Sequence, residues 1–107
     1  MAIQEDKILA PLHVAAQYGQ GEVVKLLLDR GADIGAGTQE GKTALHLAVQ
    51  SRAVAMVKQL HSLGADTGAR DQDGKTPLDS ARSEAAKYPP WTSGKAKANE
   101  IVKVLES

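Results

Sequence analysis

Two octets in this 107-residue sequence have residue types and spacing that could do chemistry. Residues 36–43 (AGTQEGKT) fit a phosphate-loop pattern once alanine is allowed at the first position, and residues 69–76 (ARDQDGKT) fit it equally well. In such a loop the backbone N–H groups cradle phosphates, the lysine reaches the terminal phosphate and the hydroxyl holds magnesium. That chemistry also needs a buried strand before the loop, a long helix after it and a separate acidic residue for the metal. The sequence offers that context at neither octet, and two copies 33 residues apart point to a structural repeat. His13 and His46 obey the same spacing. A periodic histidine with no third group to complete a triad or a metal set is a hydrogen-bonding residue of the scaffold. With no cysteine and three scattered histidines, disulfides, thiolate zinc sites, cysteine nucleophiles and histidine metal centres are all disfavoured. The chain is read as neither an enzyme nor a cofactor carrier, with no small-molecule substrate.

The elements that must position these residues are constrained by composition. The chain is 42% apolar and 24% charged, with 13 basic against 13 acidic side chains. It therefore has no global basic field, and with only Trp91, Tyr18 and Tyr88 as aromatics it has no stacking platform, so nucleic acid is not an expected partner. No apolar run approaches the ~18 residues of a membrane span, and residues 1–7 (MAIQEDK) lack the layout of a signal peptide. An intracellular protein, cytoplasmic or nuclear and monomeric, is expected. Without phenylalanine the core must be built from Leu, Val, Ile and Ala, which suit thin stacked layers better than one thick core.

A period of 33 runs through the chain. Leu12, Leu45 and Leu78 align, as do Ala15, Ala48 and Ala81, and Gly31-Ala32-Asp33 returns as Gly64-Ala65-Asp66. Between residues 5–37 and 38–70, 12 of 33 pairs are identical. The division is a lead of residues 1–4, unit one (5–37), unit two (38–70) and a longer unit three (71–107), all in one domain. Each unit reads as a turn followed by two short helices. Thr43 and Thr76 are N-caps, Pro11 and Pro77 fit a first helical turn, and Thr76 with Asp79 forms a capping-box pattern. Val23, Val24, Leu27 and Leu28 give the second helix one apolar face, and Gly31 and Gly64 end these helices in the left-handed conformation.

The runs APLHVAAQYGQGEVVKLLLDRGADIGA, GKTALHLAVQSRAVAMVKQLHSLGADTGA and DGKTPLDSA resemble ankyrin repeats over nearly the whole chain. The resemblance implies an all-α solenoid of stacked helix-turn-helix units with β-turn or hairpin fingers. It also implies that His13 and His46 tie neighbouring turns together. Several positions depart from the pattern. Ile8 and Ala10 replace the turn glycine and capping threonine of unit one, and residues 1–9 are expected to form an N-terminal cap. Arg52 stands where Gly19 ends the first helix, and Gln59 and His61 replace Leu26 and Leu28, which predicts a weaker middle unit with His61 half-exposed. Gly35 and Gly68 occupy the position of the family's usual asparagine, which predicts looser fingers.

Unit three carries about 12 extra residues within 83–99, since residues 101–105 align with 23–27 only after two periods and that insertion. Leu78, Ala81, Ala85 and Tyr88 fall at helical spacing, predicting a first helix that runs to Lys87 before Pro89-Pro90 stops it. Ala98, Ile101, Val102 and Leu105 define the last helix. Trp91, between them, has two readings. The favoured one folds it back over the end of the stack, whose apolar face must be covered; the other makes it an anchor for a partner.

An ankyrin-like stack binds proteins through its concave face and finger tips. The family's contact positions, carried over one at a time, implicate Gln17, Tyr18, Gln39, Glu40, Lys42, Gln50, Ser51, Arg70, Gln72, Asp73, Lys75 and Ser83, with Trp91 added from the insertion. The expected function is a non-catalytic protein-binding module with a polar, salt-sensitive interface. The alternative is an assembly segment, or a piece of a longer array, whose ends pack on another domain or another copy.

Overall fold

In the computed structural model, which describes residues 11–106, the chain forms six helices and, among those residues, no strand. They are α1 (Pro11–Gln17), α2 (Gly21–Asp29), α3 (Ala44–Gln50), α4 (Val54–Ser62), α5 (Pro77–Lys87) and α6 (Ser93–Leu105). Consecutive helices pair as α1–α2, α3–α4 and α5–α6; α3 lies between α1 and α5, and α4 packs on α6. The result is an elongated stack of 48 × 28 × 22 Å. The lead, the expected N-terminal cap, Ile8, Ala10 and Ser107 lie outside the described residues.

A seven-residue helix such as α1 or α3 is too short to stand alone in water, so caps and burial must hold it. Thr43 Oγ1 accepts from His46 N, and His46 Nδ1 accepts from Thr43 N at 3.1 Å, which closes both ends of a capping box on α3. Thr76 and Asp79 repeat the box on α5, with both bonds at 3.1 Å and Pro77 in the first turn. At the far end of α3 the backbone turns through Arg52 at φ +54°, the left-handed conformation that glycine adopts at the matching Gly19. The second helices end in paired bonds: Gly31 N to Leu28 O and Ala32 N to Leu27 O, repeated as Gly64 N to His61 O and Ala65 N to Leu60 O. Gly31 and Gly64 sit at φ +95° and +92°, where a Cβ would strain the chain.

The periodic residues build the core. Ala15, Ala48 and Ala81 are buried and let the first helices approach closely, while Leu45 and Leu60 are among the largest side chains wholly removed from water. Unit two, flanked on both sides, holds more of the buried residues than either neighbouring unit does among the described residues. Gln59 is no orphaned polar intrusion there: its Nε2 donates to Gly21 O at 2.7 Å and so ties α4 to the start of α2. His61 is half-buried, as predicted.

The extra residues of unit three lengthen α5 to 11 residues and α6 to 13, against seven and nine for α3 and α4. Helix α5 reaches Lys87, as the spacing predicts. Trp91 does not fold back over the end of the stack; it is 83% exposed in the link 88–92, which corrects the favoured reading. Several ties hold that link outward. Thr92 Oγ1 donates to Pro89 O and also accepts from Lys95 N to cap α6, and Lys95 Nζ donates to Ala85 O at 2.6 Å. The Tyr88 ring lies against Gly94 and under the Arg52 guanidinium, 5.3 Å away. The end layer instead carries Arg82, one period after the buried Val49, with its guanidinium 2.6 Å from Glu106.

Candidate functional site

The fingers are loops whose backbone is held from within. In the second finger Thr38 N donates to Lys42 O and Gly41 N to Thr38 O, while Thr38 Oγ1 accepts from the N–H groups of Glu40 and Lys42. In the third finger Asp71 takes the place of Thr38: its N–H donates to Lys75 O, and its Oδ1 accepts from Asp73 N and Lys75 N at 2.9 and 3.0 Å. Those N–H donors, that of Lys75 first, hold the Asp71 carboxyl below the usual carboxylate range. The Thr76 N–H does the same for Asp79. The expected looseness is offset by a different residue, since Asp33 Oδ1 accepts from Gly35 N and Asp66 Oδ1 from Gly68 N at 2.9 and 2.8 Å.

Neighbouring fingers are also tied to each other. His13 Nε2 donates to Ala36 O, at the foot of the second finger, at 2.7 Å, and His46 Nε2 donates to Lys75 O, in the third finger, at 2.9 Å. Because His46 Nδ1 accepts from Thr43 N, its proton sits on Nε2, where the neighbour's carbonyl needs it. Gln72 N donates to Glu40 O at 2.8 Å, and Gly41 permits that approach: a Cβ there would stand 3.0 Å from Gln72 N.

This arrangement leaves no phosphate cradle. The N–H groups of Gly41, Lys42 and Thr43 go to Thr38 O, Thr38 Oγ1 and His46 Nδ1; those of Gly74, Lys75 and Thr76 go to Asp71 O, Asp71 Oδ1 and Asp79 Oδ2. The helix after the first octet is only seven residues long, and no strand precedes it among the described residues. Nor do those residues hold a group of three or more His, Asp or Glu that could bind a metal ion.

Between the fingers and the helices α3 and α5 lies an open polar recess of about 140 Å³. It brings together five of the expected contact residues: Lys42, Gln50, Asp73, Lys75 and Ser83. Asp71, the buried Ser80, Glu84 and Lys87 complete the lining, and the contact positions had omitted all four. For Ser80, Glu84 and Lys87 the signal was their spacing with Ser83, a polar stripe along α5; Asp71 lies in the third finger. Lys87 is paired with Glu84 at 3.5 Å, whereas Lys42, Lys75 and Asp73 have no ion-pair partner among the described residues.

The other expected residues lie outside this recess. Gln39, Glu40 and Gln72 are exposed on the finger tips, and Arg70 Nη1 reaches Gly74 O at 3.4 Å. Gln17 is half-buried in α1 with Tyr18 exposed beside it, Ser51 is exposed after α3, and Trp91 stands apart in the link.

The profile described as ankyrin repeats (3 copies) matches residues 12–88, more than half of the chain. The chain belongs to the ankyrin-repeat family. No curated protein matches it. The matched span ends at Tyr88, so the link and α6 lie outside it. Ankyrin repeats are in general protein-interaction modules rather than enzymes. No helix of the described residues is long and apolar enough to cross a membrane.

Proposed function

We propose that this ankyrin stack acts as one three-unit module that recognises a partner protein, without catalysis and without a cofactor. The observation that carries the proposal is the recess: Lys42 and Lys75, with Asp73 close by, line a polar hollow without ion-pair partners among the described residues, on fingers whose backbone is locked by internal hydrogen bonds. Pre-organised groups of this kind bind a complementary polar segment with little ordering cost. The partner's contact is read as a chain segment carrying charges of both signs, laid across the fingers from Gln39 and Glu40 to Gln72 and Ser83. The amines give it salt dependence, because such charges steer association and are screened.

The test is affinity capture from cell lysate with the wild-type chain beside a folded variant changed to alanine at Lys42, Asp73 and Lys75 in the recess and at Gln39 and Glu40 on the finger tip. A protein retained by wild type, lost with the variant and released as salt rises supports the reading. Capture of the same proteins by both, or salt-independent retention, refutes it. A second reading, assembly through the ends of the stack, is favoured by one observation, the exposure of Trp91.

A further inference from the structure

We infer that this chain associates with a second copy of itself, the Trp91 indole of one copy entering an apolar recess on unit one of the other. This goes beyond recognition through the fingers and shares no residue with it.

The donor of the contact is built to stay out. Leaving an indole in water forgoes one of the largest burial gains a side chain offers, yet Thr92, Lys95 and Tyr88 fasten the 88–92 link so that Trp91 projects. Two prolines precede it, so little backbone freedom remains to be lost on docking.

The acceptor lies on the first unit. Pro11, Leu12, Leu27, Ala32 and Ala36 wall a recess of about 310 Å³ whose lining is almost wholly apolar, with the exposed Asp33 among its lining residues. A dry cavity of about 150 Å³ already takes up benzene, so an indole is within its capacity. Asp33 Oδ1 is bonded to Gly35 N, and its second carboxylate oxygen remains to accept the indole N–H.

Charge sets the same pairing of ends. Among the described residues, 11–37 carry three acidic and two basic side chains, 82–106 five basic and three acidic, and 38–81 are balanced. A mildly acidic first end and a basic last end attract copies of the chain head to tail.

The experiment measures molar mass by light scattering and sedimentation over a concentration series, using the full chain. Wild type is expected to pass from monomer towards dimer or longer species, less so at high salt. Trp91→Ala and Ala32→Glu, each checked for an unchanged circular dichroism spectrum, are expected to weaken association ~30-fold or more, the loss of a central aromatic anchor. Mixing these two variants is the decisive arm. One retains the recess and the other the indole, so together they recover a one-to-one complex that neither forms alone. The finger variant should associate like wild type, which keeps this inference separable from the proposed function.

A monomeric wild type at every concentration overturns the inference, as does association that survives Trp91→Ala or a mixture that forms no complex. Should Ala32→Glu not fold, N-acetyl-tryptophanamide titrated into Trp91→Ala replaces that arm, with expected shifts of the Leu12 and Leu27 methyl resonances. Shifts that arise only after removal of residues 2–10 would assign the recess to the chain's own first segment and also overturn the inference.

Discussion

Unit two and unit three begin with the same turn, the same capping threonine and the same helix register, yet they treat their far neighbours differently. His46 caps α3 and also reaches Lys75 O of the next finger; one period later Asp79 keeps the capping bond and makes no such reach. Val49 is buried between layers, and its counterpart Arg82 is exposed and paired with Glu106. Two tasks that coincide in one histidine are thus separable, local capping on one hand and bonding between units on the other. In unit two, whose first helix lies between α1 and α5, the two slots hold His46 and Val49; in unit three they hold Asp79 and Arg82.

The comparison can be broken most forcefully in the core. Leu45→Ala removes a fully buried side chain of the central layer and should destabilise the chain by ~2–5 kcal/mol in denaturant titrations. Leu78→Ala, at the matching but only partly buried slot, should cost clearly less. Equal losses would mean that the two layers are packed alike. Next comes His46→Asp, which gives unit two the residue of unit three. The capping box should survive while the bond to Lys75 O is lost and a carboxylate takes a fully buried site, at ~1–3 kcal/mol or more, and Lys75→Ala should leave that difference unchanged because only the backbone carbonyl takes part.

A smaller effect concerns pH. Asp71 and Asp79 are held below their ordinary pKa by bonds that exist only in the folded chain, so their stabilisation is complete above the ordinary carboxylate pKa and fades as pH falls through the lowered one. Asp71→Asn should flatten the acid limb of the stability curve; a limb of unchanged steepness would show that this carboxylate does not matter to folding. Smallest of all is Arg82→Ala. An exposed ion pair contributes well under ~1 kcal/mol and is screened by salt, so its melting shift should vanish in high salt.

The repeat, the helix starts at Thr43 and Thr76, the stops at Gly31 and Gly64 and the lengthened α5 were all legible in sequence, because each rests on contacts within a few residues. The left-handed Arg52 was foreseeable in the same way, from the glycine one period earlier. What depends on distant partners was not. Trp91 points outward because Lys95 reaches Ala85 O and Arg52 stacks on Tyr88, ties that no spacing rule announces. The recess was half legible: Lys42, Gln50, Asp73, Lys75 and Ser83 came with the contact positions that the family resemblance implied, but Ser80, Glu84 and Lys87 join them only once α5 is laid beside the fingers. Asp33 and Asp66 were likewise read only as part of a helix stop, although each also braces the turn after it.

The bonds that fasten each finger to the helix or finger before it, His13 to Ala36, His46 to Lys75 and Gln72 to Glu40, make the stack unequal in its tolerance of growth. One residue added within a finger would carry a carbonyl away from its imidazole and break the register of the whole edge. The links between paired helices carry no backbone bond from unit to unit among the described residues, and there the chain has already accepted about a dozen extra residues. New segments, whether acquired by descent or grafted by design, therefore have one permissive edge on this molecule, and the loop that carries Trp91 marks it.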